Sequence, residues 1–205
     1  MRTRILSAYI FATVLCLSLG VGIAAASPPT GSRDIQDFAR AGFGQMLEEC
    51  VDANATVIFT AGDNLQEIGG GKPGSWSDVS VDLSIIDFCT ETELIHLSGL
   101  TPVVDPDLIR LETATLEDVS VHLVDSTGAF SVDAVVNLSW AGNDNPVVRI
   151  DHELDLRYFR QERWETAEVT GTVVFSDSDV WDGGIVFDAG DANDVTIGTA
   201  SEINL

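Results

Sequence analysis

Lysine is almost missing from this chain of 205 residues: Lys72 is the only one, and arginines make up the rest of ten basic residues, against 33 acidic ones. Phosphate groups are held by clustered lysine and arginine, so nucleic acid and anionic membrane surfaces are poor partners. Cysteine is scarce too, at three, and no C-x-x-C pair suggests a zinc ribbon or a redox motif. No G-x-S-x-G elbow announces a serine hydrolase. Beyond residue 26 no apolar run is long enough to cross a bilayer.

The one apolar run lies at the start. Arg2 and Arg4 precede an apolar stretch over 10–23, and Ala24-Ala25-Ala26 supplies the small residues a signal peptidase reads. The sequence therefore predicts a signal peptide over 1–26, cut after Ala26, with an uncleaved anchor as the rival reading. A flexible lead follows over 27–33, then a single domain over 34–205. The expected location is secreted, extracellular or in the cell envelope, with no membrane contact after cleavage. Without the leader 8 basic residues face 33 acidic ones, a net of −25. Such a charge keeps a protein soluble and repels its own copies, or suits a salty medium. Cys16 leaves with the leader, so Cys50 and Cys89 remain, an even pair that predicts one disulfide in an oxidising compartment.

From residue 55 the apolar pattern has a period of two. Val79, Val81, Leu83 and Ile85 alternate with Ser80, Asp82 and Ser84, and Phe130 to Trp140 alternates likewise. Val148 to Tyr158 reads as one two-faced strand, dry on one side and charged on the other. "GGGKPGSW" (69–76) reads as a loop. Residues 34–49 are ambiguous: Asp34 can cap a short helix, but Gly42 and Gly44 favour a strand. About ten strands at hairpin spacing predict an all-β fold, an antiparallel β-sandwich with a β-barrel as the alternative and at most one short helix.

The order of several segments resembles a group of exported bacterial all-β proteins of unknown function. The matching pieces are Asp87-Phe88-Cys89-Thr90, Ala114-Thr115-Leu116, Leu138-Ser139-Trp140-Ala141-Gly142, the arginine-rich stretch Arg157 to Arg163, and Ala167 to Val173. They span roughly residues 45–175. The resemblance implies an exported β protein and carries no catalytic residue.

Candidate chemistry is thin. Asp177, Asp179 and Asp182 in "FSDSDVWDGG" could converge on calcium, although Trp181 stands where an EF-hand loop needs an oxygen ligand; in so acidic a chain the same cluster also reads as a solvated turn. His96, His122 and His152 lie on three separate strands, so a zinc site would require them to meet. Trp76 and Trp181, read as loop residues beside glycine and aspartate, could stack on a glycan or peptide or plug the end of the fold. Asn54 and Asn137 head glycosylation sequons. The readings that follow are a non-enzymatic module binding a glycan or peptide through Trp76 and Trp181, a calcium-stabilised module, and a hydrolase with an unnamed carboxylate pair.

Overall fold

The structure is a computed structural model that describes residues 32–66, 74–152, 158–178, 181 and 183–204. The expected leader over 1–26 and most of the lead over 27–33 lie outside the described residues. Four long strands open the chain: β1 (Ser32–Glu48), β2 (Val51–Gln66), β3 (Gly74–Asp87) and β4 (Thr92–Pro102). Each pairs antiparallel with the next. The short β5 (Asp107–Ile109) leads into the hairpin of β6 (Thr113–Val124) and β7 (Ser131–Gly142). Then come β8 (Val147–His152), the long β9 (Tyr158–Phe175) and β10 (Ile185–Asp188). A 3-10 turn at Ala189–Asp191 delivers β11 (Ala192–Asn204), which returns to pair with β1.

The ambiguous stretch 34–49 is strand. Its backbone is claimed by ladders on both sides, to β11 and to β2, and Ala39, Ala41 and Phe43 alternate inward. A helix would have met neither demand. Trp76 also falls in a strand and not in a loop, since β3 begins at Gly74 and Trp76 stands opposite Gly62. Position 148–158 is not one strand with a dry face. β8 pairs back onto β9, with His152 opposite Phe159, and Val148 and Ile150 remain about half exposed. The reason is position: β8 is bonded to β9 alone, at the margin of the sheet.

β9 organises one side of the molecule. Its first half lies between β8 and β11, and its second half between β7 and β10. Gly171 lets it pass between β7 and β10. Its φ is 108°, and a Cβ there would sit 2.0 Å from the Asn137 carbonyl oxygen. Together the pairings join all eleven strands in one antiparallel sheet, the all-β architecture expected from the alternation. They run around a common core from β9 through β11, β1, β2, β3, β4, β6 and β7 back to β9, but unevenly. The β4/β6 ladder has one rung, Ser98 opposite Val124.

Inside, alternate residues meet in one hydrophobic cluster. Val57 and Phe59 of β2, Val81 and Leu83 of β3, Leu138 and Trp140 of β7, and Val173 and Phe175 of β9 are at most 2 % exposed. Phe187 joins them, edge-on to Phe175 at 6.0 Å between ring centres and tilted against Phe43 at 5.9 Å. The Trp140 indole nitrogen donates to the Arg40 carbonyl oxygen at 3.1 Å, so the largest core side chain buries no unpaired donor.

Two turns at one end are joined covalently. Cys50 follows β1 and Cys89 follows β3, and a disulfide links them with Cα atoms 5.3 Å apart. The Phe88 amide donates to the Cys50 carbonyl oxygen at 2.9 Å. Asp87 accepts the amides of Cys89 at 2.9 Å and Thr90 at 3.1 Å. The bonds from Thr90 and Cys89 hold its carboxyl below the ordinary value of 3.8. Among the described residues no helix is long and apolar enough to cross a membrane.

Candidate functional site

The two tryptophans singled out by the sequence do not share a site. Trp76 lies on the outer face of β3, and its ring covers Gly62 across the strand pair, where a Cβ would stand 3.0 Å from the indole. Phe38 covers Gly198 in the same way. Both aromatic rings thus fill the gap a glycine leaves on a sheet surface. Trp181 stands at the other end. It lines a cavity with Ile95 and Leu97 of β4, and Leu97 pairs with Leu83, seven residues along β3 from Trp76. At the strand rise this separation is about 23 Å.

Trp181 is held by the connection between β9 and β10. Its indole nitrogen donates to the Ser176 carbonyl oxygen at 3.2 Å, and residues 178 and 181 form an isolated bridge. The Ser176 amide donates to the Asp133 carbonyl oxygen at 2.8 Å, which pins the connection to β7. Asp177 accepts the Gly183 amide at 3.0 Å, so its carboxylate closes the turn. Gly183 and Gly184 both take positive φ, the conformation the glycine pair makes inexpensive. Asp179 and Asp182 lie outside the described residues. Among the described residues no three His, Cys, Asp or Glu side chains come together to hold a metal ion.

The cavity has a volume of about 320 Å³. Its aromatic walls are Trp181, which also packs on the core, and Phe130, which is half exposed. Ser131 and Asp177 place polar groups beside them. Phe130 was read as part of the inward face of β7. It sits instead in the turn before the strand, where Asp125 accepts its amide at 3.0 Å. That bond and the Thr127 hydroxyl depress the Asp125 carboxyl below its ordinary value. The turn signal "STG" ends two residues before Phe130 and marks its neighbourhood as a turn.

The histidines do not converge. His122 of β6 pairs across the hairpin with Asp133 at 2.7 Å. His96 of β4 has its Nδ1 2.9 Å from Ser84 Oγ and 3.5 Å from a Glu93 oxygen. The His152 side chain lies outside the described ones. Ser84, His96 and Glu93 have the residue types of a hydrolytic triad but not its wiring. A relay needs the base to touch the nucleophile with one ring nitrogen and the acid with the other. Here both partners crowd Nδ1, and the Ser84 hydroxyl donates to Glu93 at 3.1 Å. This is a surface network.

Beside it on β3, Asp82 is partly buried. Desolvation raises its carboxyl above 3.8, and the charge of His96 opposes the rise. A raised value in the folded state means that the native protein holds the proton more tightly than the unfolded chain. The stabilising contribution is full below the ordinary value and is lost as pH climbs through the raised one. Asp82→Asn is therefore expected to move the urea midpoint upward at pH 7 and to leave it almost unchanged at pH 3. Equal shifts at the two pH values would contradict this assignment.

One further residue escaped the sequence reading. Glu165 of β9 is 2 % exposed, an acid inside a shell expected to carry its acids outside. It accepts the Asp144 amide at 3.3 Å and lies against Gly142, where any Cβ would collide with it. Its inward position follows from pairing with Ile197, which the sequence alone does not reveal. Asn137, head of a sequon, uses its side-chain oxygen to accept the Asp118 amide at 2.7 Å. Arg160 meets Glu162, and Arg110 meets Asp37 at 3.0 Å. Arg157 lies outside the described residues.

No family model and no curated protein matches the sequence. Among solved structures the chain is similar to the enduracididine biosynthesis enzyme MppR complexed with the condensation product of pyruvate and imidazole 4-carboxaldehyde, at 10% identity over 86% of this chain and 87% of that one. The TM-score is 0.29, a level that carries no argument about this chain's fold or chemistry.

Proposed function

We propose that the protein is an exported, non-enzymatic binding module that holds a small neutral saccharide in the cavity beside Trp181. The observation that carries this reading is the composition of the wall: two aromatic side chains, Trp181 and Phe130, with Ser131 and Asp177 around about 320 Å³. Aromatic faces stack on the C–H faces of sugar rings, and hydroxyl and carboxylate oxygens take up the sugar hydroxyls. The volume lies at the small end of ligand pockets, which suits one or two rings. The net charge of −23 disfavours an anionic ligand. The Cys50–Cys89 bond supports an oxidising compartment, and the resemblance to exported bacterial β proteins points the same way.

The test is calorimetric titration of the purified protein with a panel of neutral mono- and disaccharides. Phe130→Ala, at an exposed position, is expected to weaken binding by about tenfold. Trp76→Ala, far along β3, is expected to leave it unchanged. The reading fails if no saccharide binds, if Phe130→Ala binds as tightly as the parent, or if the bound saccharide is hydrolysed during the titration.

A further inference from the structure

β7 and β8 lie end to end along the same side of β9. β7 pairs with residues 167–175 of β9, and β8 with residues 159–164. The outer neighbour of β7 is β6, whose ladder to β7 starts at Thr113, opposite Ala141. β6 therefore does not follow onto β8, and among the described residues no strand pairs with the far edge of β8. About half of the backbone amides and carbonyls of an edge strand face away from its partner. This edge is regular. Its six rungs to β9 run without a register shift, and it holds no proline, lysine or bulge of the kind that blunts strand edges. Pro146 stands just outside it. Val147 on one face, and Val148 and Ile150 on the other, are each about half exposed.

We infer that this edge pairs antiparallel with the same edge of a second copy of the chain, about a two-fold axis beside Ile150. The sequence of β8 is complementary to itself in that register. A two-fold axis perpendicular to a sheet keeps each face on its own side, so it must pass beside a residue that then stands opposite itself. Beside Arg149 it would set arginine against arginine, and beside Asp151 aspartate against aspartate. Beside Val148 it would bring Pro146, which has no amide hydrogen, opposite Ile150. An axis at either end of the strand leaves almost no overlap. Beside Ile150 it sets Arg149 opposite Asp151 twice, once on each side of the axis, with Ile150 against Ile150 between them. Opposite charges and apolar residues in directly opposed positions are the pairs that stabilise a sheet.

A strand from the chain's own expected lead fits this edge less well, since Pro28 and Pro29 lack the donors a ladder needs. The net charge of −23 opposes the approach of two copies, and salt screens that repulsion while the closely opposed pairs keep more of their attraction. The inference is independent of the saccharide reading at Trp181.

Sedimentation velocity of the purified protein in about 0.2 M sodium chloride, where long-range repulsion is screened, is expected to show a monomer–dimer equilibrium. Arg149→Asp sets like charges opposite each other and is expected to weaken dimerisation about tenfold, as is Asp151→Arg. An equimolar mixture of the two variants is expected to regain the parent's affinity, because each supplies the charge the other lacks. Neither a misfolded variant nor an interface elsewhere on the molecule reproduces that recovery. A cross-link gives a second measurement. Directly opposed residues of an antiparallel pair have Cα atoms about 4.5–5.5 Å apart, within reach of a disulfide. Ile150→Cys is therefore expected to form a covalent dimer on mild oxidation, and Val186→Cys, about equally exposed on β10, is expected not to. The pairing is refuted if the parent stays monomeric at every concentration reached, if the mixture associates no more tightly than the single variants, or if Val186→Cys cross-links as readily as Ile150→Cys.

Discussion

Replacing Cys50 and Cys89 together by serine is expected to lower the free energy of unfolding by about 4 kcal/mol, the chain-entropy value for a loop of this length. The two cysteines are separated by 39 positions. In the folded protein their turns already adjoin, because Val51 pairs with Asp87 and the Phe88 amide reaches the Cys50 carbonyl. The bond therefore adds little to the native geometry. It acts on the unfolded chain, which loses the freedom to separate β1 from β3. Urea denaturation of the parent, the double serine variant and the parent in reductant measures the effect. The variant and the reduced parent should agree, and a loss under about 1 kcal/mol in both would refute the entropic account.

Trp140→Ala is expected to cost about 3–5 kcal/mol, the range for removing a large aromatic from a close-packed interior. Two effects add. The indole is 2 % exposed on the inward face of β7, so its removal leaves a void that the sheet cannot collapse to fill. It also leaves the Arg40 carbonyl oxygen without its indole donor. Trp140→Phe restores most of the volume but not the donor, so it should recover more than half of the loss. Chemical denaturation of the three proteins separates the packing and hydrogen-bond contributions. Identical stabilities for the alanine and phenylalanine variants would mean that the hydrogen bond alone matters.

Much of the fold was legible because a strand buried on one face writes its orientation into the sequence. Val79 to Ile85 and Val132 to Trp140 could be assigned from alternation alone, and the structure buries the residues so marked. The cysteine pair was legible by count. The errors arose where local pattern competes with the neighbours a strand acquires. Val148 and Ile150 alternate as well as any core strand, yet they lie at a margin with one partner strand. Trp76 sits beside glycines that look like loop, yet a long β2 extends far enough to pair with it.

The candidate sites were less legible still. Trp181 was found from its surroundings, but its companion Phe130 comes from a turn some fifty positions earlier in the chain, and Ile95 and Leu97 come from β4.

By itself, the order of apolar and polar residues determined the class of structure, the inward face of most strands, the pairing of two cysteines and a surface dominated by negative charge. These are consequences of local periodicity and composition, which any short window contains. Only the tertiary structure decided which strand edges meet, which aromatic rings cover glycines and which line a cavity, and that Glu165 points inward. Each of those depends on register between segments far apart in the chain, and a shift of one residue would exchange the faces without altering the pattern.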